Sequence, residues 1–165
     1  MSDIEFFNND PDSFHDSKLT LHDCIADKIS YNNNFLSFSF PDGFWIFPDH
    51  EVNNLDKIVR TDLSRVDFYI NNNDSSLDYV YVEVFSKNIF KKTIVEKWSL
   101  DELIKAVNSG DYQLEFVYQY RTYFEQMWYC TFRYKGKWMH NECYLHIPSA
   151  EATYRWNNLR EECVW

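Results

Sequence analysis

Two short segments carry residue types that could perform chemistry. In the first, Leu21-His22-Asp23-Cys24-Ile25, an imidazole lies two residues before a thiol. In an extended strand the two side chains share a face about 6.6 Å apart, and a cysteine activated by a histidine is a familiar nucleophile. The same polar residues can instead fix the start of a strand through hydrogen bonds to the backbone, and we favour this structural role.

The second segment runs from His140 to His146 and contains Glu142 and Cys143. In a strand the two histidines lie about 20 Å apart at ~3.3 Å per residue, and Cys143 points to the opposite face. Only His140 and Glu142 could share an ion, and two ligands do not hold zinc. The sequence therefore predicts no metal site and no cofactor.

Composition excludes several classes of enzyme. The chain has 165 residues but only 3 glycines, all isolated. A phosphate-binding loop or a dinucleotide fingerprint needs clustered glycines, so both are excluded. Nucleophile-elbow, metalloprotease and kinase motifs do not occur either. We predict that the protein has no catalytic residues and is not an enzyme. A small hydrolase acting through paired carboxylates is an alternative, because acidic residues are plentiful.

The net charge is −10, from 26 acidic and 16 basic residues, and the acidic excess is concentrated in residues 1–57. Such a charge repels phosphate backbones, so we expect no nucleic-acid partner. It attracts a basic protein and speeds the encounter with it. A plainer explanation is that the charge keeps a chain with 6 Trp, 12 Tyr and 14 Phe soluble.

Two segments are candidates for binding. Residues 42–62 combine Trp45 with the acidic residues Asp49 and Glu51 in a polar, aperiodic stretch, and an aromatic anchor surrounded by acids suits a basic partner. Near the end of the chain, Tyr154-Arg155-Trp156-Asn157 concentrates residue types that are common at binding surfaces. The alternatives are a solvated loop beside a core tryptophan and ordinary packing within a sheet.

The elements that must position these residues are mostly strands. Apolar residues alternate with polar ones in several segments; these include 36–40, 66–70, 80–84, 112–120, 128–134 and 143–147. Asn32-Asn33-Asn34 and Pro41-Asp42-Gly43 predict chain reversals, which would make a three-stranded meander ending at Phe44–Phe47. Ser99 followed by Glu102 is a capping box, and it predicts one short helix that ends near Gly110.

The fold class that follows is α+β, a mostly antiparallel sheet of about 8–9 strands with one short helix near residues 99–109 packed on it. We expect residues 1–17 to be a flexible lead-in and residues 18–165 to form a single domain. The strand pattern predicts that one buried cluster joins the last strands, with the helix stripe Leu103-Ile104-Val107 as a candidate cover; its members are Tyr112, Leu114, Phe116, Trp128, Phe132, Leu145 and Ile147.

The expected location is the cytoplasm. The chain opens with acidic residues where a signal peptide needs basic ones, and no segment approaches the roughly 18 apolar residues that cross a bilayer. None of the 4 cysteines forms a Cys-x-x-Cys pair, which argues against zinc-ribbon and thioredoxin-like sites. In the cytoplasm we expect the thiols to be reduced, and without an apolar segment we expect no membrane contact. The sequence leaves the oligomeric state open.

Some of these motifs are shared with small bacterial proteins. Residues 21–25, the strand ending Phe38-Ser39-Phe40 and the turn Asp42-Gly43-Phe44 resemble proteins of unknown function that open with a His-Asp segment, several of which resemble immunity proteins of polymorphic toxin systems. Residues 114–120, with Glu142-Cys143 and residues 154–157, are similar to domains of unknown function from low-GC bacteria. The resemblance implies a non-enzymatic fold and assigns no functional residue.

Two functions from different classes are consistent with the sequence. The first is a non-enzymatic cytoplasmic interaction protein, in its specific form an immunity-type inhibitor that binds a basic protein. The second is a small-ligand binding module with an aromatic cleft, because the chain has more aromatic residues than its core requires. A flat acidic face would favour the first, and a concave pocket lined by Trp and Tyr would favour the second.

Overall fold

The computed structural model describes residues 5–12, 18–71, 76–87, 92–134 and 140–165. Within these ranges the chain forms fifteen strands, a 3₁₀ turn at Ser76–Tyr79 and one α-helix, α1, at Leu100–Asn108. All strand pairings are antiparallel. The fold is therefore α+β and mostly antiparallel, as the alternation in the sequence predicts, although the number of strands exceeds the predicted 8–9.

The strands, numbered in chain order, belong to three sheets. Sheet I has the order β1 (Asn8–Asp12), β14 (Ala152–Trp156), β8 (Ser64–Tyr69), β5 (Phe35–Phe40) and β4 (Lys28–Asn32). Sheet II has the order β10 (Thr93–Ser99), β9 (Tyr81–Lys87), β13 (His140–Ile147), β12 (Gln126–Tyr134), β11 (Tyr112–Arg121) and β3 (Cys24–Ala26). Sheet III has the order β15 (Leu159–Val164), β7 (Val59–Thr61), β6 (Trp45–Ile46) and β2 (Leu19–Thr20).

The core joins sheets I and II through aromatic rings. Phe116 of β11 is fully buried, and its ring lies 5.4 Å from the rings of both Phe38 and Phe40 on β5. Trp128 of β12 also packs edge-on against Phe116, with ring centroids 5.1 Å apart. Edge-on contacts of this kind add to the burial of large apolar side chains, so this cluster is the centre of the molecule's packing.

The predicted core is confirmed in most of its members. The residues of the predicted set that are buried are Leu114, Phe116, Trp128, Phe132, Leu145 and Ile147, together with Leu103 and Val107 of α1. Tyr112 and Ile104 are half-buried and pack against this core from its margin.

The helix begins where the capping box predicts. The hydroxyl of Ser99 accepts a hydrogen bond from the backbone N–H of Glu102, and the Glu102 carboxylate accepts one from the backbone N–H of Ser99 at 2.8 Å. These bonds satisfy two N–H groups that the first turn otherwise leaves open. The backbone N–H of Ser99 and, to a lesser extent, its hydroxyl both donate to the Glu102 carboxylate, which lowers the pKa of that carboxyl. Gly110 follows the helix with φ +80°, the left-handed conformation that favours glycine after a helix.

A β-bulge in β11 overturns one prediction about side-chain faces. The sequence places Tyr118 and Tyr120 on the same face as Leu114 and Phe116, but the register with β12 shifts between Phe116 and Tyr118. One extra residue reverses the inside and outside positions that follow it. Tyr118 and Tyr120 are accordingly 56% and 52% exposed.

Two segments differ from the sequence-based assignment in their place in the fold. Residues 8–12, assigned to a flexible lead-in, form β1 and pair with β14 at the edge of sheet I, where Pro11 is tolerated because an edge strand does not need every N–H. The aromatic segment after Gly43 forms only β6, which pairs with β2 and β7 in sheet III instead of extending the β4–β5 hairpin. The stretch of residues 42–62, described from the sequence as aperiodic, also contains the strand β7 at Val59–Thr61.

The reversals predicted at Asn32-Asn33-Asn34 and at Pro41-Asp42-Gly43 are both confirmed; at the second, the backbone N–H of Gly43 donates to the carbonyl of Phe40 at 3.1 Å. Asn33 and Asn34 adopt φ of 50° and 69°, which confirms the turn between β4 and β5. The sequence also predicts turns at Lys87-Asn88, at residues 71–76 and at Lys135-Gly136, and these fall partly or wholly outside the described residues. Among the described residues, no helix is long and apolar enough to cross a membrane.

Candidate functional site

The acidic loop, residues 47–58, joins β6 to β7 and is held in place by hydrogen bonds from one of its own side chains. Asn53 is buried, and its side-chain amide donates to the backbone carbonyls of Ile46 at 3.1 Å and Lys57 at 2.9 Å. Its side-chain oxygen accepts from the backbone N–H of Leu55 at 3.0 Å. A loop held by its own polar side chain loses little further freedom when it binds.

His50 ties the acidic loop to β1. It is only 5% exposed, and its Nε2 lies 2.6 Å from Oδ2 of Asp10. Its Nδ1 accepts from the backbone N–H of Val52 at 3.2 Å, so Nε2 carries the proton donated to Asp10. The ring of Trp156 lies behind the imidazole, with centroids 6.1 Å apart.

A cleft of about 350 Å³ lies between the acidic loop and β1. Its polar lining consists of Asp10, Asp12, Lys18, Asp49, His50 and Glu51. Asp49 and Glu51 are exposed at the rim. Asp12 is buried and forms an ion pair with Arg121 at the end of β11. The cleft has four carboxylates, whereas, among the described residues, the cations beside them are only Lys18 and the Arg121 that pairs with Asp12. The cleft therefore has a negative potential, which its low-dielectric walls strengthen.

The structure separates the five residues proposed for binding. Asp49 and Glu51 are brought together with the β1 acids in the cleft. Trp45 is half-buried on sheet III, where the Arg60 guanidinium lies 4.8 Å from its ring and Trp165 lies 5.7 Å away. Trp45 does not line this cleft.

Tyr154 and Trp156 are core residues at 1% and 2% exposure. Both pack edge-on against the ring of Phe44, at 4.9 Å and 5.6 Å. Burial raises the pKa of the Tyr154 phenol well above its usual range, and the charge of Asp12 adds to this effect, so the phenol stays neutral. Neither side chain reaches the surface, and the candidate site does not include them.

Two acids of the cleft, Asp10 and Asp12, and the Arg121 that pairs with Asp12 could not be found from the acidic loop because they lie far from it in the chain. Asp10 and Asp12 fall in the predicted lead-in, residues 1–17, and Arg121 carries no signal of its own in the sequence. One signal was available, since residues two apart in a strand share a face and Asp10 and Asp12 have that spacing. The pairing of β1 with β14 is what carries them to the acidic loop.

The His22–Cys24 pair lacks the features of an activated nucleophile. Burial raises the pKa of the Cys24 thiol to about 12, so the thiol is protonated at neutral pH. Nδ1 of His22 lies 2.5 Å from the backbone carbonyl of Val117, and its ring stacks on Trp165 with centroids 5.2 Å apart. These contacts join the chain before β3 to sheet II and to Trp165, which follows β15.

In the structure the two histidines of the segment 140–146 lie in different surroundings. His140 is exposed at the start of β13, whereas His146 stacks on Tyr81 with ring centroids 4.3 Å apart. In the part of the chain that the structure describes, no group of three or more His, Cys, Asp or Glu side chains could hold a metal ion.

A second cavity of about 520 Å³ lies beside the start of α1. Tyr31 and Tyr81 contribute aromatic rings to its wall, and Val80, Leu100 and Ile104 contribute apolar side chains. Lys97 also lines it, with its Nζ only 3.6 Å from the centre of the Tyr81 ring. This cavity is larger than the acidic cleft, and its lining is less polar.

Comparison with known proteins adds no relative from which a function could be transferred: no protein-family model, curated protein or solved structure matches the chain.

Proposed function

We propose that the protein binds a basic protein partner and that the acidic cleft receives a lysine or arginine side chain of that partner. The observation that carries this proposal is that four acids line one cleft: Asp49 and Glu51 come from the acidic loop, and Asp10 and Asp12 come from β1. The rim acids are exposed and meet the partner first, while the buried Asp12, paired with Arg121, supports the floor.

The exposed acids and the internal hydrogen bonds of the loop contribute to binding in different ways. Exposed charges act over the Debye length of roughly 8–10 Å and raise the association rate, and added salt screens them. The bonds of Asn53 and His50 fix the loop before binding, which reduces the entropy that the complex must lose. An inhibitor of the immunity type needs these properties, because it must meet its target quickly and cover a basic site. This specific role, in the cytoplasm, is part of the proposal and is supported by the sequence resemblance.

The test is a paired substitution, Asp49→Asn with Glu51→Gln, measured with a hexalysine peptide as the probe. We expect affinity at low ionic strength to fall by about tenfold, and the dependence of affinity on salt to weaken. Isothermal titration at several salt concentrations measures both quantities. Stability should change by less than about 0.5 kcal/mol, because both side chains are exposed.

The matched control is Glu161→Gln with Glu162→Gln, which removes the same charge from exposed positions on β15. We expect this pair to weaken the affinity for hexalysine far less than the cleft pair. An equal loss in the two variants would show that the peptide responds to net charge alone, and the cleft would then have no special role.

A small-ligand site is the second candidate, and the cavity beside α1 is the observation that favours it. Its tyrosine and aliphatic walls suit a ligand with a flat or apolar face, such as a sugar ring, and Lys97 and Asp101 offer polar contacts at its edge. We expect a ligand found by thermal-shift screening of sugars and other metabolites to lose its stabilising effect in Ile104→Trp, which fills the cavity. A shift that survives this substitution would place the ligand elsewhere.

A further inference from the structure

We propose that Cys130 and Cys143 are an oxidisable pair. Opening of the β12–β13 hairpin exposes a thiol to an oxidant, and reclosing sets the two sulfurs opposite each other so that they form a disulfide; the closed, reduced sheet shields both thiols. The proposal is independent of the acidic cleft. It rests on the register of the two strands, on the burial of both thiols and on the positions of the other two cysteines.

The register brings the two residues face to face. Cys130 is the direct partner of Cys143 in the antiparallel β12–β13 ladder. Directly opposed residues in such a ladder have Cα atoms about 4.5–5.5 Å apart, which lies within the range of about 4.4–6.8 Å found in disulfides. Both side chains point to the inner face of sheet II, where they are fully buried with Trp128 and Leu145. Distance and direction therefore both permit a bond between the sulfurs.

The other two cysteines are not positioned to compete. Phe116 of β11 is the partner of Cys24 on one side and of Cys130 on the other, so one strand separates these two thiols. Two strand spacings amount to about 9.6 Å, beyond the roughly 7 Å that a disulfide can bridge. Cys163 lies on β15, whose partner strand β7 has no cysteine.

Burial keeps the pair reduced while the hairpin is closed. Both thiols are fully buried, and burial raises the pKa of Cys130 well above its usual range. The thiolate is the form that attacks a disulfide, and it must also reach the oxidant. The closed sheet keeps the Cys130 thiol protonated and keeps oxidants away from both thiols, whereas an open hairpin exposes them.

Oxidised glutathione can oxidise the pair in two successive thiol–disulfide exchanges. The thiolate of one cysteine attacks a glutathione sulfur, the glutathione disulfide breaks, and one glutathione leaves as a thiol with the displaced proton. The second cysteine then attacks the mixed disulfide, closes the Cys130–Cys143 bond and releases a second glutathione. Two electrons pass from the protein thiols to the oxidant, which is thereby reduced to two thiols.

The experiment exposes the full chain to oxidised glutathione with no denaturant and at the urea midpoint, followed by alkylation and peptide mass spectrometry. Without denaturant we expect Cys163, which is half-buried, to react at least tenfold faster than Cys130 or Cys143. At the midpoint we expect a Cys130–Cys143 crosslink. After refolding, the crosslinked protein should melt about 5 °C or more above the reduced form, since closing the loop restricts the unfolded chain.

The variant Cys24→Ala with Cys163→Ala gives a second measurement, because it leaves only the proposed pair. It should form the same crosslink at the midpoint and remain monomeric in a non-reducing gel. The proposal is overturned if no Cys130–Cys143 crosslink forms at the midpoint, if the two thiols react without denaturant as fast as Cys163, or if the crosslinked chain melts below the reduced one.

Discussion

Phe116→Ala is expected to lower the free energy of unfolding by about 4 kcal/mol, because a fully buried phenylalanine is lost and the surrounding rings cannot close the space. Phe38, Phe40 and Trp128 all contact Phe116, and they belong to strands of two different sheets. Chemical denaturation of the variant and of the parent chain measures the difference. Such a loss is a large fraction of the total stability of a domain of this size.

Tyr118→Ala is the matched control for that experiment. It removes an aromatic side chain from the same strand only two residues away, but Tyr118 is 56% exposed because the bulge turns it outward. We expect a loss below about 1 kcal/mol. Similar losses in the two variants would contradict the bulge and would support the regular alternation that the sequence suggests.

Gly43→Ala is expected to cost about 4 kcal/mol, from two sources that add. Gly43 has φ +77°, a left-handed conformation that costs an alanine about 1–2 kcal/mol. A Cβ at this position would lie 2.1 Å from the carbonyl oxygen of Thr61 and 2.5 Å from that of Asp62. These are backbone atoms of β7 and its following turn, so relief requires sheet III to move, at a further cost of about 1–3 kcal/mol.

Gly110→Ala separates these two sources. Gly110 has φ +80°, but a Cβ there would meet no atom within 4 Å. We expect only the conformational cost of about 1–2 kcal/mol, measured by the same denaturation experiment. Gly43→Ala should in addition reduce hexalysine binding, because β6 and β7 hold both ends of the acidic loop. If the two glycine variants were equally stable, close packing at Gly43 would be contradicted.

Local patterns in the sequence were sufficient wherever neighbouring residues decide the outcome. The capping box at Ser99 and Glu102 places the start of α1, since all its hydrogen bonds lie within one turn. Alternation identifies β8, β9, β12 and β13, since burial on one face acts along the whole strand. The left-handed turn at Asn33 and Asn34 also depends only on the residues that form it.

The candidate site was only half predictable for the same reason. Asp49 and Glu51 are visible as an acidic loop, but the cleft exists only because β1 pairs with β14 and brings Asp10 and Asp12 beside that loop. Tyr154 and Trp156 have the composition of a binding surface, yet the packing of sheet I buries them against Phe44. Composition identifies residue types that bind, whereas burial decides which of them can be reached.

By itself, then, the sequence determined an antiparallel α+β fold, one capped helix and an acidic loop, because these depend on periodicity and on residues close together in the chain. Only the tertiary structure decided which strands pair, and pairing controls the rest. The register of β12 against β13 sets Cys130 opposite Cys143, and the bulge after Phe116 turns Tyr118 outward. Strand register is fixed by packing between distant segments, and a single shifted residue exchanges the buried face for the exposed one.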